Sequence, residues 1–94
     1  MAIKIIVDVH VRVELFDDYI THLKHKIVET REFEGCLGAE LYADQDLPGR
    51  MAVVEEWRSR EDQQRYVDWR RSQGGMADVY SQPLKFSFYD HVES

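Results

Sequence analysis

Apolar and polar side chains alternate along the first part of the chain, over residues 2–13. Such alternation predicts a β-strand with one buried face and one mixed face. The face predicted to be buried carries Ile3, Ile5, Val7, Val9, Val11 and Val13. From about Glu14 the apolar spacing changes to three and four residues, which predicts an amphipathic helix that stops at Gly35. The apolar stripe of this helix comprises Phe16, Tyr19, Ile20, Leu23 and Ile27.

A β-hairpin is predicted over residues 35–57. Its arms are residues 36–43 and 50–57, and Pro48-Gly49 between them suits a type II turn, because proline fixes φ and glycine accepts a positive φ. One side of the first arm carries Leu37, Ala39, Leu41 and Ala43. One side of the second arm carries Met51, Val53, Glu55 and Trp57. Glu55 is thereby aligned with three large apolar side chains, a setting in which a carboxyl pKa can shift.

The rest of the chain predicts a second helix and a fourth strand. Ser59 and Asp62 resemble the capping box that starts a helix, and Gly74-Gly75 would end it. Residues 76–80 predict a further helical turn before Pro83. Residues 84–92 alternate again and predict the last strand. One face of that strand carries Leu84, Phe86 and Phe88.

The order of these elements, βαββαβ, predicts the fold class α+β and a single domain over residues 1–94. It is the split-βαβ, ferredoxin-like arrangement, in which a four-stranded antiparallel sheet has both helices on one face. The helices leave the other face of the sheet uncovered. We therefore expect a homodimer that buries this face against a second copy of the chain.

Composition and charge exclude several classes of protein. The chain has 94 residues, 44% of them hydrophobic, which argues against disorder. Its net charge of −6 argues against a nucleic-acid partner. No apolar stretch is long enough to cross a membrane, and the N-terminus lacks the apolar segment of a signal peptide. With Cys36 as its single cysteine, the chain is expected to be a cytoplasmic protein without disulfides.

Three segments of the sequence resemble the antibiotic biosynthesis monooxygenase (ABM) family: residues 35–37, 46–50 and 54–61. The resemblance implies a dimeric α+β barrel built from two ferredoxin-like protomers, each with a pocket between its helices and its sheet. Members of the family include cofactor-free oxygenases of quinols and anthrones, haem-degrading enzymes and an isomerase. The E-x-W element of the family matches Glu55 and Trp57.

The chain departs from the family at positions that carry chemistry in some members. Haem-degrading members have a histidine where this chain has Val67, and an asparagine where its first strand has about Val7. The anthrone oxygenases have an asparagine and a tyrosine where this chain has Val53 and Gln63. A haem site therefore lacks its ligand here, and the anthrone site cannot be transferred residue by residue.

The resemblance and the strand pattern together give two candidate catalytic residues, Glu55 and Tyr66. Glu55 is the candidate base that removes a phenol or quinol proton, and Tyr66 is the candidate pocket donor. In the alternative interpretation Glu55 is a structural ion-pair partner of Arg12, Lys85 or Arg50, and Tyr66 is a packed aromatic residue.

Four further residues are candidates for substrate binding: Trp57, Met51, Val53 and Trp69. Trp57 would form a flat wall against which an aromatic substrate stacks. Its alternative role is that of a core residue whose N–H is satisfied inside the protein.

The sequence predicts no metal site. His22 and His25 have the spacing of helical metal ligands, but Lys24 and Lys26 beside them would repel a cation, so a solvated helix face is expected. Interface hydrogen bonding is expected for His10 and His91, and structural burial for Cys36.

The hypothesis that follows is a small monooxygenase that needs no cofactor and oxidises an electron-rich quinol, phenol or polycyclic aromatic with O₂. Such a substrate supplies its own reducing equivalents, and the sequence contains no metal or flavin motif. Two alternatives stay open: an isomerase or lyase in which Glu55 shuttles a proton, and a non-catalytic ligand-binding dimer.

Overall fold

The computed structural model describes residues 2–74 and 79–92, which form four strands and two α-helices. In chain order these are β1 (Ile3–His10), α1 (Phe16–Glu32), β2 (Cys36–Ala43), β3 (Arg50–Trp57), α2 (Arg60–Ser72) and β4 (Lys85–Asp90). The predicted βαββαβ order and the α+β, ferredoxin-like fold are confirmed. The helical turn predicted for residues 76–80 falls largely on residues 75–78, outside the described residues.

The strands form one antiparallel sheet in the order β2-β3-β1-β4. At its centre Val7 pairs with Val53 on one side and with Phe86 on the other. Because side chains alternate along a strand, these three residues point to the same face, and α1 and α2 cover that face. Its largest fully buried apolar side chains are Trp57, Ile5 and Met51.

The ends of three predicted strands differ from the structure, and the last strand, predicted over residues 84–92, spans Lys85–Asp90. Val13 was expected on the buried face, but it is 61% exposed, because β1 ends at His10 and the chain turns into a short 3-10 helix, Val13–Leu15. Leu37 was expected beside Ala39, but it is 56% exposed. The pairing of β2 with β3 shifts between Cys36 and Gly38, and this bulge takes Leu37 out of the alternation.

Gly35 lies between α1 and β2 in the chain and packs against Asp62 in the first turn of α2. It has a φ of +92°, the left-handed conformation that glycine adopts without strain, and a Cβ at this position would lie 2.5 Å from Cβ of Asp62. Asp62 is buried, and its carboxylate accepts hydrogen bonds from Arg58, Ser59 and Arg65. The backbone N–H of Arg58 in turn donates to the carbonyl of Gly35 at 2.7 Å. The turn therefore fixes the end of β3, where Trp57 lies.

The opposite face of the sheet is not covered by a helix. On it Arg50 donates to Asp8 at 3.0 Å and lies 3.3 Å from Asp44. The hydrogen bond from Arg50 lowers the pKa of Asp8, and the backbone N–H groups of Leu47 and Asp46 lower the pKa of Asp44. The aromatic rings of Tyr42 and Tyr89 are exposed on this face. No helix in the described ranges is long and apolar enough to span a membrane.

The close approach at Gly35 predicts an unusually costly substitution. Gly35→Ala should destabilise the protein by about 2–4 kcal/mol, since it adds an overpacking cost to the cost of a positive φ. Gly74→Ala is the matched control, because Gly74 also has a positive φ (+78°) but open space at its Cβ position. It should cost only about 1–2 kcal/mol. Urea denaturation measures both, and equal losses would show that the contact with Asp62 is unimportant.

Candidate functional site

A cavity of about 580 Å³ lies between the two helices and the covered face of the sheet. This volume is in the range of small-molecule binding sites. The sheet contributes Val7, Val9, Leu41, Val53, Glu55 and Phe86 to its wall. The helices contribute Leu23, Ile27, Thr30, Gln63, Tyr66 and Val67, together with basic residues. Most of the wall is therefore apolar, with a few polar groups at defined positions.

Glu55 is the buried acid of this wall, at 7% exposure. Its Oε1 accepts a hydrogen bond from the indole N–H of Trp57 at 2.8 Å. The other oxygen, Oε2, has no hydrogen bond to a described residue. Since every fully buried side-chain oxygen in the described part of the chain has a partner, Oε2 keeps some accessible surface. Glu55 lines the cavity, so this surface is open to it. Burial raises the pKa of Glu55, while the hydrogen bond from Trp57 and the charge of Arg70 act in the opposite direction. This carboxylate can accept a proton from a bound molecule.

Arg50 and Lys85, two of the residues considered as ion-pair partners of Glu55, form no ion pair with it in the described ranges. Arg50 lies on the opposite face and pairs with Asp8 and Asp44 instead. Lys85 pairs with Asp8 in the register of β4 and β1, so it also points to the opposite face.

Tyr66 belongs to a hydrogen-bonded network between the helices. Its hydroxyl lies 2.6 Å from Oγ1 of Thr30 and accepts from Nε of Arg70 at 2.8 Å. Either hydroxyl can donate in the Tyr66–Thr30 bond, and Tyr66 is the donor when Thr30 donates to the carbonyl of Lys26 at 3.2 Å. Donation of the Tyr66 hydroxyl hydrogen to a substrate would then require Thr30 to give up this bond. The network makes Tyr66 a fixed part of the cavity wall.

A second hydroxyl pair lies elsewhere on the cavity wall. The hydroxyls of Tyr19 and Tyr80 are 2.8 Å apart, and their rings pack edge to face at a centroid distance of 5.6 Å. Burial raises the pKa of Tyr19, so this phenol stays protonated. Tyr19 therefore contributes a neutral hydrogen-bonding group to the wall.

The structure places three of the six candidate residues on the cavity wall: Glu55, Tyr66 and Val53. Trp57 does not line the cavity. It is 0% exposed and packs against Tyr66 at a centroid distance of 5.1 Å, so it supports Glu55 from behind. Met51 is fully buried and Trp69 packs on Phe33 at 5.5 Å, and neither lines the cavity. The predicted stacking role of Trp57 therefore has no support in this geometry.

Sequence reasoning did not single out several polar residues of the wall, among them Thr30, Arg70 and Tyr19. A signal was present for each of these three. Thr30 continues the apolar stripe of α1 three residues after Ile27, and Tyr19 is itself part of that stripe. Arg70 is four residues after Tyr66, the spacing at which two helical side chains meet.

The four positions at which the sequence departs from the family it resembles lie on the same wall. Val7, Val53, Gln63 and Val67 all line the cavity. Three of these four side chains are apolar where some relatives carry polar groups.

No group of three or more metal-ligating side chains occurs among the residues that the structure describes. His25 is exposed as predicted, whereas His22 lines the cavity. His10 lies 3.4 Å from Asp8 on the uncovered face, and His91 is exposed beyond the end of β4. Cys36 is partly buried, and burial raises the pKa of its thiol.

A ferredoxin-like sheet with a small-molecule cavity under its two helices defines the structural class. The sequence profile of the family "Antibiotic biosynthesis monooxygenase" matches residues 2–74. The chain belongs to the antibiotic biosynthesis monooxygenase family. No curated protein gives a significant match.

Solved structures share the fold at low sequence identity. A crystal structure of an antibiotic biosynthesis monooxygenase has a TM-score of 0.85 and 22% identity, with 97% of this chain and 99% of that chain covered. A conserved protein from Methanosarcina mazei Go1 has a TM-score of 0.83 and 18% identity, with 95% and 91% covered. Rv0793 from Mycobacterium tuberculosis has a TM-score of 0.81 and 19% identity, with 100% and 98% covered. These similarities establish the fold.

The raised pKa of Glu55 predicts the sign of a pH effect on stability. The folded protein holds this proton more tightly than the unfolded chain, whose ordinary value is 4.5. Stability should therefore fall as the pH rises from about 4.5 to the raised pKa, and Glu55→Gln should remove this part of the fall. The urea midpoint of Glu55→Gln minus that of the wild type should therefore increase as the pH is raised from about 4 to about 8.

The control for this measurement is Glu56→Gln, which removes an exposed carboxylate from the same strand. It should keep the pH dependence of the wild type. If the urea midpoint of the wild type instead rises relative to that of Glu55→Gln with increasing pH, the folded protein stabilises the charged form of Glu55, as in the ion-pair interpretation.

Proposed function

We propose that this protein is a monooxygenase that uses no cofactor and oxidises an electron-rich quinol, phenol or polycyclic aromatic with O₂. The observation that carries the proposal is the position of Glu55. It is a buried carboxyl group with a raised pKa, it is held by Trp57 through Oε1, and its Oε2 is open to a largely apolar cavity. A general base needs this combination of access and tuned basicity.

The apolar wall accounts for binding and for exclusion of water. An aromatic substrate would contact Val7, Val53 and Phe86 on the sheet, with its hydroxyl group directed to Oε2 of Glu55. Transfer of the hydroxyl proton to this oxygen gives an electron-rich anion in a site with little water. The surrounding side chains hold the anion where O₂ can reach it.

The substrate supplies the electrons for the oxidation. The anion passes one electron to O₂, and the resulting radical pair combines to form a carbon–oxygen bond. Protonation by Glu55 gives a hydroperoxide, which loses water and leaves one oxygen atom as a carbonyl group. One atom of O₂ is then in the product and the other in water, and no external reductant is consumed.

Trp57 and Arg70 tune the base in this proposal. Burial raises the pKa of Glu55, because desolvation disfavours the charged carboxylate. The indole hydrogen bond and the charge of Arg70 both favour the ionised form. Trp57 is therefore a positioning residue, since its bond also fixes which carboxylate oxygen faces the cavity.

We further propose that two copies associate through the uncovered face of the sheet. Ile6, Ala52 and Val54 lie on that face and keep part of their apolar surface exposed, and Tyr42 and Tyr89 add two exposed rings. Burial of this surface against its symmetric copy would remove it from water. The catalytic cavities would then lie on the outer sides of the two sheets.

An isomerase or lyase would use the same Glu55 to move a proton without consuming O₂. A ligand-binding protein would occupy the same cavity and turn nothing over. Measurement of O₂ uptake with a panel of quinols and anthrones distinguishes these from the monooxygenase. Conversion of a substrate without O₂ uptake would replace the present proposal by the isomerase or lyase.

Substitution of the base should abolish most of this activity. Glu55→Gln should lower kcat by roughly 10²–10⁴-fold because the amide is nearly isosteric but accepts no proton at neutral pH. O₂ uptake with the best quinol of the panel gives the rate, and circular dichroism checks the fold. Glu56→Gln is the matched control, because it makes the same chemical change outside the cavity. It should leave kcat unchanged. Full turnover by Glu55→Gln would assign proton abstraction to another group.

The proposed dimer predicts a solution mass of twice 11.1 kDa in sedimentation analysis. Val54→Asp places a charge at the centre of the uncovered face and should convert the protein to monomers. Val28→Asp is the matched control, because Val28 is an exposed residue of α1. It should leave the dimer intact. A monomeric wild type at micromolar concentration would contradict this assembly.

A further inference from the structure

Positive charge is concentrated around the cavity, although the chain as a whole carries a net charge of −6. Lys26 of α1 and Arg70 and Arg71 of α2 line it. Glu55 is the only acidic residue among the described residues of the wall, and burial shifts Glu55 towards its neutral form. The electrostatic potential in the cavity therefore favours a bound anion.

Arg70 is already occupied by groups of the protein. It donates to the hydroxyl of Tyr66, to the carbonyl of Lys26 at 2.8 Å and to Glu29 at 3.3 Å. Its side chain also packs over the ring of Trp69 at 4.8 Å. Arg70 therefore contributes to the potential of the cavity, but few of its donors are available to a ligand.

Lys26 and Arg71 are available to bind an anionic group of a ligand. Neither the ammonium group of Lys26 nor the guanidinium group of Arg71 forms an ion pair or a side-chain hydrogen bond with another residue in the described ranges. Arg71 is exposed and Lys26 is partly buried, and both residues line the cavity, Lys26 from α1 and Arg71 from α2. An anionic group of a ligand could therefore bind at either cation without displacing an existing ion pair or side-chain hydrogen bond of the described residues.

The sheet side of the cavity is mostly apolar, in contrast to the positively charged helix side. Leu41, Val53 and Phe86 supply apolar surface there, and the single ionisable group is Glu55. A ligand that satisfies both sides has an aromatic body against the sheet and an anion at the helices.

We propose that the cavity selects aromatic acids, meaning ring compounds with a fixed anionic group such as a carboxylate that binds Lys26 and Arg71. The inference rests on the proposed function in taking this cavity as the substrate site. It narrows the substrate class from any quinol or phenol to one with an acidic substituent remote from the reacting hydroxyl. The two cations then orient the ring with that hydroxyl towards Glu55.

A pair of fluorescent probes with the same rings tests the proposal directly. 1-Anilinonaphthalene-8-sulfonate carries a fixed anion, and N-phenyl-1-naphthylamine is the same skeleton without it. The wild type should bind the sulfonate about tenfold more tightly than the neutral amine, and added salt should reduce this preference. Lys26→Gln and Arg71→Gln should each weaken binding of the sulfonate about threefold and leave binding of the amine unchanged.

Lys24→Gln is the matched control, because Lys24 is an exposed residue of the same helix that does not line the cavity. It should leave the affinities for both probes unchanged. Equal affinity of the wild type for the two probes would overturn the proposal. An effect of Lys24→Gln as large as that of Lys26→Gln would also overturn it, since only the net charge would then matter. Uptake of O₂ with a neutral quinol is measured independently. That assay tests the monooxygenase proposal, whereas the two probes test only the preference for an anion.

Discussion

The hydrogen bond from Trp57 to Glu55 is the interaction on which the rest of the site depends. A carboxyl group at 7% exposure would be costly in an apolar wall without a partner, and the indole N–H supplies that partner at 2.8 Å. Trp57 can do so only because it is held rigidly. Its ring packs on Phe33 and Tyr66, and the backbone just after it is bonded to Gly35. The turn at Gly35 thus contributes to the position of the carboxylate.

The sheet determines where this carboxylate points. Glu55 lies on β3, an interior strand, and its register partners are Ile5 of β1 and Ala39 of β2. Both partners are buried and apolar, so they supply no charge to Glu55 and contribute to the desolvation that raises its pKa. The same pairing that stabilises the sheet therefore creates the chemical property of the site.

Much of this fold was predictable because its signals are local. Alternation placed the strands, Pro48-Gly49 marked the turn, and Ser59 marked the start of α2, where its side chain accepts from the N–H of Asp62. The bulge at Leu37 was not predictable, because it depends on how two strands pair. The network of Thr30, Tyr66 and Arg70 was missed for a similar reason. It forms only when two helices distant in sequence pack side by side.

The depth of a side chain was the least predictable property. Alternation placed Trp57 and Glu55 on the same face, but it could not show that the indole lies beneath the carboxylate and outside the cavity. That depth depends on Phe33, Tyr66 and Trp69, which come from two other parts of the chain.

Arg70 connects the packing of the helices to the chemistry of the sheet. Its guanidinium bonds to Tyr66 on its own helix and to the carbonyl of Lys26 on α1, so it holds the two helices together over the cavity. The same charge favours the ionised form of Glu55. A change in the spacing of the helices would therefore alter the pKa of the base as well as the size of the cavity. Under the proposed function, Arg70 would couple ligand binding to proton transfer at Glu55 through its charge alone, since no hydrogen bond or ion pair joins these two described residues.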